Sequence, residues 1–276
     1  MTVEFEGPRT AIVTGGAKRI GAALTRALAA DGWHVLIHHN RSAVEAEALA
    51  AETGGSTVAA DLADPGAAAA IIAALDGLPP ARLLVNNASR FALDSATDFT
   101  VAGWDAHLNV NLRAPALLSQ AFAARAGRGL IVNLLDAKLA APNPDFFSYT
   151  ISKMGLAGLT ELAARAFAPG IRVCGIAPSV TMVPGPQSRA NFDRVHALNA
   201  LGRGVDVAEI VAALRFIVAT PTITGQTITL DGGQRFLALP RDVQFLSPDG
   251  DVRFLSPAGD GQFLSPDGDG QPPEPK

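Results

Sequence analysis

Tyr149 and Lys153 stand four residues apart, so a helix through them carries a phenol and an ammonium on one face. An ammonium close to a phenol favours the phenolate, which makes the tyrosine a readier proton donor near neutral pH. Such a donor suits an enzyme that protonates an atom receiving a hydride. Asp136, thirteen residues before the tyrosine, belongs to the same reading. A tyrosine and lysine at this spacing are common on ordinary helix surfaces, so the weight of the pair depends on what positions it.

The positioning elements read as an alternation of strands and helices. An apolar run over 10–14 is a buried strand, ending in Thr14-Gly15-Gly16-Ala17-Lys18-Arg19-Ile20-Gly21. An Ala/Leu-rich amphipathic helix follows from about 22 to 31, with Gly32 as its stop. Strand, glycine turn and helix together place a phosphate on a helix N-terminus, which singles out Gly15, Lys18, Arg19, Ile20 and Gly21. The second strand, 33–38, leads into His39-Asn40-Arg41-Ser42. An acid at this point selects NAD by binding the ribose hydroxyls. None is present. Asn40, Arg41 and Ser42, with Lys18 and Arg19, suit a ribose 2′-phosphate instead, so NADPH is the expected cofactor. His38 and His39 lack sequence partners for a metal and read as structural.

A third strand, 56–60, closes on Asp61-Leu62, where an aspartate is placed to receive an adenine amino group. The fourth, 82–85, ends in Asn86-Asn87-Ala88-Ser89-Arg90-Phe91, and a long helix over 103–126 carries Asn111 near its middle. Strand 129–134 stops just before Asp136, and the Tyr149 helix runs to about 167. Strand 171–176 precedes Pro178-Ser179-Val180-Thr181; Asp206 opens a helix to 218, and strand 226–230 precedes Asp231-Gly232-Gly233. This order predicts an α/β fold: a single Rossmann-type, doubly wound parallel sheet of about seven strands with helices on both faces. The candidate residues all follow strands, at the edge where such sheets bind ligands.

Composition narrows the classes. The chain has 276 residues, 48% of them hydrophobic and 17% charged, which suits a globular enzyme with a large core. Cys174 is the single cysteine, so no internal disulfide forms, and it lies in an apolar run as a buried thiol. There is no signal pattern and no apolar run of bilayer length, so a cytoplasmic protein without a membrane partner is expected. The net charge of −4 resides in 241–276, which hold three basic and seven acidic residues. Neither part has the basic excess of a nucleic-acid binder.

The chain divides into a reductase-type domain, 1–240, and an acidic Pro/Gly-rich tail, 241–276. The tail repeats at a period of nine, with Phe-Leu-Ser-Pro starting at Phe245, Phe254 and Phe263. Such a segment builds no core and is expected to be disordered. Its Phe-Leu pairs suit docking on a neighbouring subunit or a multivalent partner motif, or are a replicated tail without consequence. Its Asp-x-Asp-Gly spacing is too incomplete for a calcium loop, and no metal site is expected.

Over about 8–236 the chain resembles the short-chain dehydrogenase/reductases. The motifs are Thr14-Gly-x-x-x-Arg-x-Gly21, Asn86-Asn87-Ala88, Asn111, Tyr149-x-x-x-Lys153, the Pro178 to Thr181 turn and Asp231-Gly232-Gly233. The resemblance implies Tyr149 as proton donor, with Lys153 on the nicotinamide ribose and lowering the tyrosine pKa. It implies Asn111 helping to hold a relay water, and Asn87, Ala88, Ser89, Pro178 and Thr181 around the cofactor. A homotetramer is implied as well.

Two positions depart from the family pattern: Arg19 replaces the middle glycine of the turn, and Asp136 replaces the usual serine. Together with His38-x-x-Arg41-Ser42 and Asn87-Ala88-Ser89-x-Phe91, they are similar to the pteridine and dihydromonapterin reductases. That likeness implies Arg19 touching cofactor phosphate and substrate, Phe91 stacking a pterin, and Asp136 working with Tyr149. The chemistry agrees. A carboxylate opposes phenolate formation and keeps the tyrosine proton available for reduction, and it accepts from N–H groups that simple ketones lack. The expected activity is NADPH-dependent hydride transfer to a pterin C=N bond. A carbonyl reductase of 3-oxoacyl thioesters or small ketones is the alternative, and Asp136 argues against it. A non-catalytic NADP(H) sensor is a third reading, opposed by the presence of Tyr149 and Lys153.

Overall fold

In the computed structural model, which describes residues 5–181, 196–237 and 239–245, seven short strands form one sheet. They are β1 (Thr10–Val13), β2 (His34–His39), β3 (Ser56–Ala59), β4 (Ala81–Asn86), β5 (Gly129–Leu134), β6 (Ile171–Pro178) and β7 (Thr227–Leu230). Every pairing is parallel, in the order β3-β2-β1-β4-β5-β6-β7. The central strands are apolar on both faces because helices cover both. Ile12, Leu36, Leu84, Ile131 and Val173 pack under α3 (Ala67–Ala73), α5 (Ala114–Ala126) and α6 (Phe147–Ala166). Their neighbours Val13, Ile37, Val85, Val132 and Cys174 turn the other way, under α1 (Arg19–Ala30), α2 (Ala43–Thr53) and α7 (Val207–Ala219). The single-residue alternation is the strand period of two. It confirms the expected architecture and places Cys174 fully inside the core.

Two helices differ from the sequence reading. The one expected to start near Ala22 starts at Arg19, with Lys18 as its N-cap residue. The one expected over 103–126 is not a continuous α-helix. It is α4 (Val101–Leu108), a π-helical stretch (Asn109–Arg113) and then α5. Pro115 has no N–H to give the carbonyl four residues back, that of Asn111, and the pitch widens there. The start of α7 follows expectation: Asp206 and Glu209 form a reciprocal cap, through Ala208 N–H to Asp206 Oδ1 (2.7 Å) and Asp206 N–H to Glu209 Oε2 (2.9 Å).

β1 is flanked by β2 on one side and β4 on the other, so the loops leaving β1 and β4 diverge. A crevice opens between them at the carboxyl ends of the strands, and the candidate residues converge there.

Candidate active site

The crevice is stitched at its base by Thr14 and Asn87. Thr14 Oγ1 accepts the N–H groups of Asn87 (2.9 Å) and Ala88 (3.0 Å), and Asn87 Nδ2 donates to the carbonyls of Thr14 (2.8 Å) and Gly15 (3.1 Å). The approach leaves no room for side chains. Gly15 lies at φ +59°, where a Cβ would meet Ala88 Cα at 3.1 Å, and a Cβ on Gly21 would collide with the Gly15 carbonyl. His38 braces the turn from below. Its Nδ1 accepts Gly15 N–H at 3.1 Å, so Nε2 carries the proton and donates to Ala60 O at 3.1 Å. Burial pushes the imidazole down to about 4, which keeps it neutral for this role.

The N-terminus of α1 has no side-chain cap and no acid in its first turn, and Arg19 and Ile20 open onto the crevice. A helix N-terminus with basic neighbours fits a phosphate. The remaining residues expected at this end are more dispersed. Lys18 pairs with Glu45 of α2 at 2.7 Å. Asn40 and Arg41 are exposed beyond β2, and with Ser42 they lie outside the main cavity. Asp61 holds the Ala63 N–H at 2.9 Å, while Leu62 is buried in the core.

The reacting centre lines a cavity of about 260 Å³. Tyr149 Oη donates to Asp136 Oδ2 at 2.6 Å, and Asp136 Oδ1 accepts the Lys138 N–H at 2.8 Å. Lys153 Nζ donates to the Leu134 carbonyl at 2.7 Å and lies 5.8 Å from the centre of the tyrosine ring. The sequence reading had the lysine lowering the tyrosine pKa. It also had Asp136 opposing the phenolate, and that direction prevails here. Burial, then the charge of Asp136 and its hydrogen bond, hold Tyr149 well above its ordinary value. Burial also raises the Asp136 carboxyl, against the Tyr149 hydroxyl, the Lys138 N–H and Lys153, and it lowers Lys153 to about 8. The centre therefore holds a protonated phenol beside a carboxyl that takes up a proton more readily than usual.

Asn111 stands behind this wall, not in it. Its Oδ1 accepts from Arg90 N–H (2.7 Å) and Ser89 Oγ (3.3 Å), and its Nδ2 donates to Arg90 O (2.9 Å) and Ser152 Oγ (2.9 Å). Both donors and both acceptor sites of the amide are used, so the side chain clamps the 87–91 loop to α6. A second clamp holds the same loop: His107 Nε2 accepts Ala92 N–H at 3.2 Å, and Ser148 Oγ bonds both His107 Nδ1 (2.6 Å) and Asp94. Phe91, which these clamps position, is 45% exposed at the cavity, stacked on Phe146 (4.2 Å, 19°) and edge-on to Tyr149 (4.7 Å, 89°).

Ser89, Pro178 and Thr181 also line the cavity. So do Lys138, Asn143, Arg235, Asp242 and Val243, which the sequence reading missed. Arg235 lies two residues past the Asp-Gly-Gly turn and pairs with Asp231 at 2.8 Å, a proximity the spacing offered. Asp242 was hidden by the composition of the tail around it. The repeats beyond Phe245 lie outside the described residues.

A sequence model of the family described as enoyl-(acyl carrier protein) reductase matches residues 15–235. L-xylulose reductase of Bos taurus is 34% identical over 246 residues, covering 83% of this chain and 97% of that protein. Pteridine reductase 1 of Leishmania tarentolae is 32% identical over 286 residues, covering 84% and 98%. Among solved structures, FolM alternative dihydrofolate reductase 1 from Brucella canis, crystallised with NADP, superposes with a TM-score of 0.78 at 39% identity, covering 83% of this chain and 94% of that one.

Proposed function

This chain belongs to the short-chain dehydrogenase/reductase family of oxidoreductases, and from that premise we propose that it uses NADPH to reduce the C=N bond of a pterin. The crevice suits a dinucleotide phosphate. The α1 amides, Gly15, Arg19, Ile20 and Gly21 would hold the pyrophosphate, and Lys18, Asn40, Arg41 and Ser42 the 2′-phosphate. Asp61 and Leu62 would border the adenine. Asn87, Ala88, Ser89, Tyr149, Lys153, Pro178 and Thr181 would surround the nicotinamide end. When bound, the cofactor supplies the hydride.

The chain's own residues supply and steer the proton. Tyr149 is the donor toward the substrate nitrogen, and Asp136, its partner at 2.6 Å, is the reservoir behind it. A protonated Asp136 carboxyl donates to the tyrosine oxygen as the tyrosine gives up its own proton, so no phenolate is left beside a buried carboxylate. Lys153 carries the nearby positive charge that keeps this pair from being isolated in the interior. Arg19 and Phe91 flank the substrate.

The Tyr149–Asp136 hydrogen bond carries the reading. An imine nitrogen becomes positively charged as it is protonated, and Asp136, left as a carboxylate once its proton has passed to Tyr149, stabilises that charge; a ketone oxygen gains no positive charge as it accepts the hydride. The carbonyl-reductase alternative draws on the comparable identity to L-xylulose reductase. NADPH consumption with dihydrobiopterin, dihydromonapterin and dihydrofolate decides between them. Asp136→Ser should lower pterin turnover about 100-fold, the size of a lost proton-transfer partner. Ketone turnover that matches the wild type's pterin rate, with no pterin turnover, would favour the alternative.

A cytoplasmic homotetramer completes the proposal by family likeness. No helix among the described residues is long and apolar enough to cross a membrane. The tail reading of 241–276 falls, from Leu246 onward, outside the described residues.

A further inference from the structure

Composition groups everything after Pro240 with the repeat tail, yet 241–245 form a strap across one wall of the cavity. Arg241 grips Asp145 with two prongs, Nε to Oδ2 at 3.2 Å and Nη2 to Oδ1 at 3.0 Å, and the Asp242 N–H adds a bond to Asp145 Oδ2 at 2.8 Å. Lys138 ties the same point from the opposite side, with Nζ 2.5 Å from Asp145 O and 3.6 Å from Asp242 Oδ2. Burial pushes the Asp145 carboxyl up, but Arg241, the Asp242 N–H and Lys138 outweigh it and hold it below its ordinary range. At the other end of the strap Phe245 stacks on Phe146 (5.8 Å, 18°), with Arg241 5.0 Å above its ring. Phe91, Phe146 and Phe245 thus form one aromatic column, and the strap is fixed at both ends.

The anchoring turns Asp242 and Val243 toward the cavity that holds Asp136, Tyr149 and Phe91. The Asp242 side chain is only 16% exposed. Asn143, on the same cavity wall, has a buried Oδ1 without a hydrogen-bond partner. Asp136, Asp242 and Asn143 therefore give one cavity two carboxyl groups and an amide carbonyl. Ionised carboxylates only accept, and bonds from N–H groups to them are the strong, charge-assisted kind.

We propose that the strap is a substrate-recognition element, and that Asp242 accepts hydrogen bonds from the amino and ring N–H groups of a flat, nitrogen-rich heterocycle such as the pyrimidine half of a pterin. The inference rests on the pterin reading and deepens it. Asp136 would serve the reduced bond, and Asp242 the donor edge away from it.

The test is steady-state kinetics of the full chain with NADPH and a dihydropterin, beside NADPH binding followed by fluorescence. Asp242→Asn should raise the pterin KM by about tenfold or more, the value of one charge-assisted bond, with a much smaller fall in kcat. NADPH affinity should stay within about twofold of wild type, since Asp242 is not among the residues assigned to the cofactor. Asp242→Glu should recover part of the loss. Deleting 246–276 should leave KM alone, whereas deleting 241–276 should reproduce Asp242→Asn, which separates the strap from the repeats and from a folding defect. A wild-type KM in Asp242→Asn overturns the proposal while leaving the pterin reading intact. A wild-type enzyme that reduces no pterin removes both, and is seen before any variant is made.

Discussion

Arg19 shows the clearest conflict between a residue and its backbone. It lies at φ +53°, a left-handed conformation that costs a side-chain-bearing residue roughly 1–2 kcal/mol and glycine almost nothing. An arginine kept there is kept for its side chain, and Arg19 lines the cavity. Arg19→Gly should therefore raise unfolding stability, by about 0.5–1 kcal/mol once the greater freedom of glycine in the unfolded chain is subtracted. It should also raise KM for cofactor, substrate or both by about tenfold, as expected for a lost charged contact. Urea denaturation and steady-state kinetics read the two halves separately; a variant that is less stable or binds as well as wild type defeats the argument. The residue itself was legible as a departure from a glycine pattern. The ionisation of the Tyr149 centre was legible only in part. Spacing brings Lys153 near the phenol, but it says nothing of how deeply both are buried, and burial with Asp136 decides the direction of the tyrosine shift.

At the scale of elements, the sequence marked most boundaries to within a residue or two, because buried strands and amphipathic helices follow simple periods. It missed the widening of the helix at Asn109–Arg113. Pro115 was a visible signal, but whether a proline kinks, ends or widens a helix depends on what packs beside it. Here the widened turn holds Asn111 against the 87–91 loop, so one irregularity in the α4–α5 helix sets the position of Phe91. Asn111→Leu keeps the volume and removes every bond of the amide. It leaves the Arg90 N–H without its acceptor and takes one bond each from the Arg90 carbonyl and Ser152 Oγ, which keep Ser89 Oγ and the Tyr149 carbonyl as partners, and should cost about 1–3 kcal/mol. Because the loop carries Phe91, catalytic efficiency should fall as well. A melting temperature close to wild type, with unchanged kinetics, would show that the loop is held by the His107 and Ser148 contacts alone.

Across the whole molecule, what was legible is the convergence of strand ends on one edge, since that follows from chain order and chirality. What was not legible is which distant segments brace that edge. The strap at 241–245 is one case, and His38 is another. His38 joins the turn after β1 to the end of β3 through Gly15 N–H and Ala60 O, and it does so only while neutral, because Nδ1 must accept. Its pKa of about 4 in the fold lies below the ordinary 6.5, chiefly through burial. The unfolded chain therefore binds this proton first as pH falls. The contribution is complete above pH 6.5 and declines by up to about 1.4 kcal/mol per unit toward pH 4. His107, also lowered by burial, adds to the same slope, whereas the raised Asp136 opposes it. The lowered carboxylates of Glu45, Glu52 and Asp145 protonate mainly below this window. Unfolding free energy measured from pH 7.5 to 5 should thus fall before the carboxylates titrate. His38→Asn, whose amide offers one donor and one acceptor without titrating, should be less stable at pH 7.5 but have a shallower acid slope. An equal slope in wild type and variant would assign the acid sensitivity elsewhere and leave His38 as packing alone.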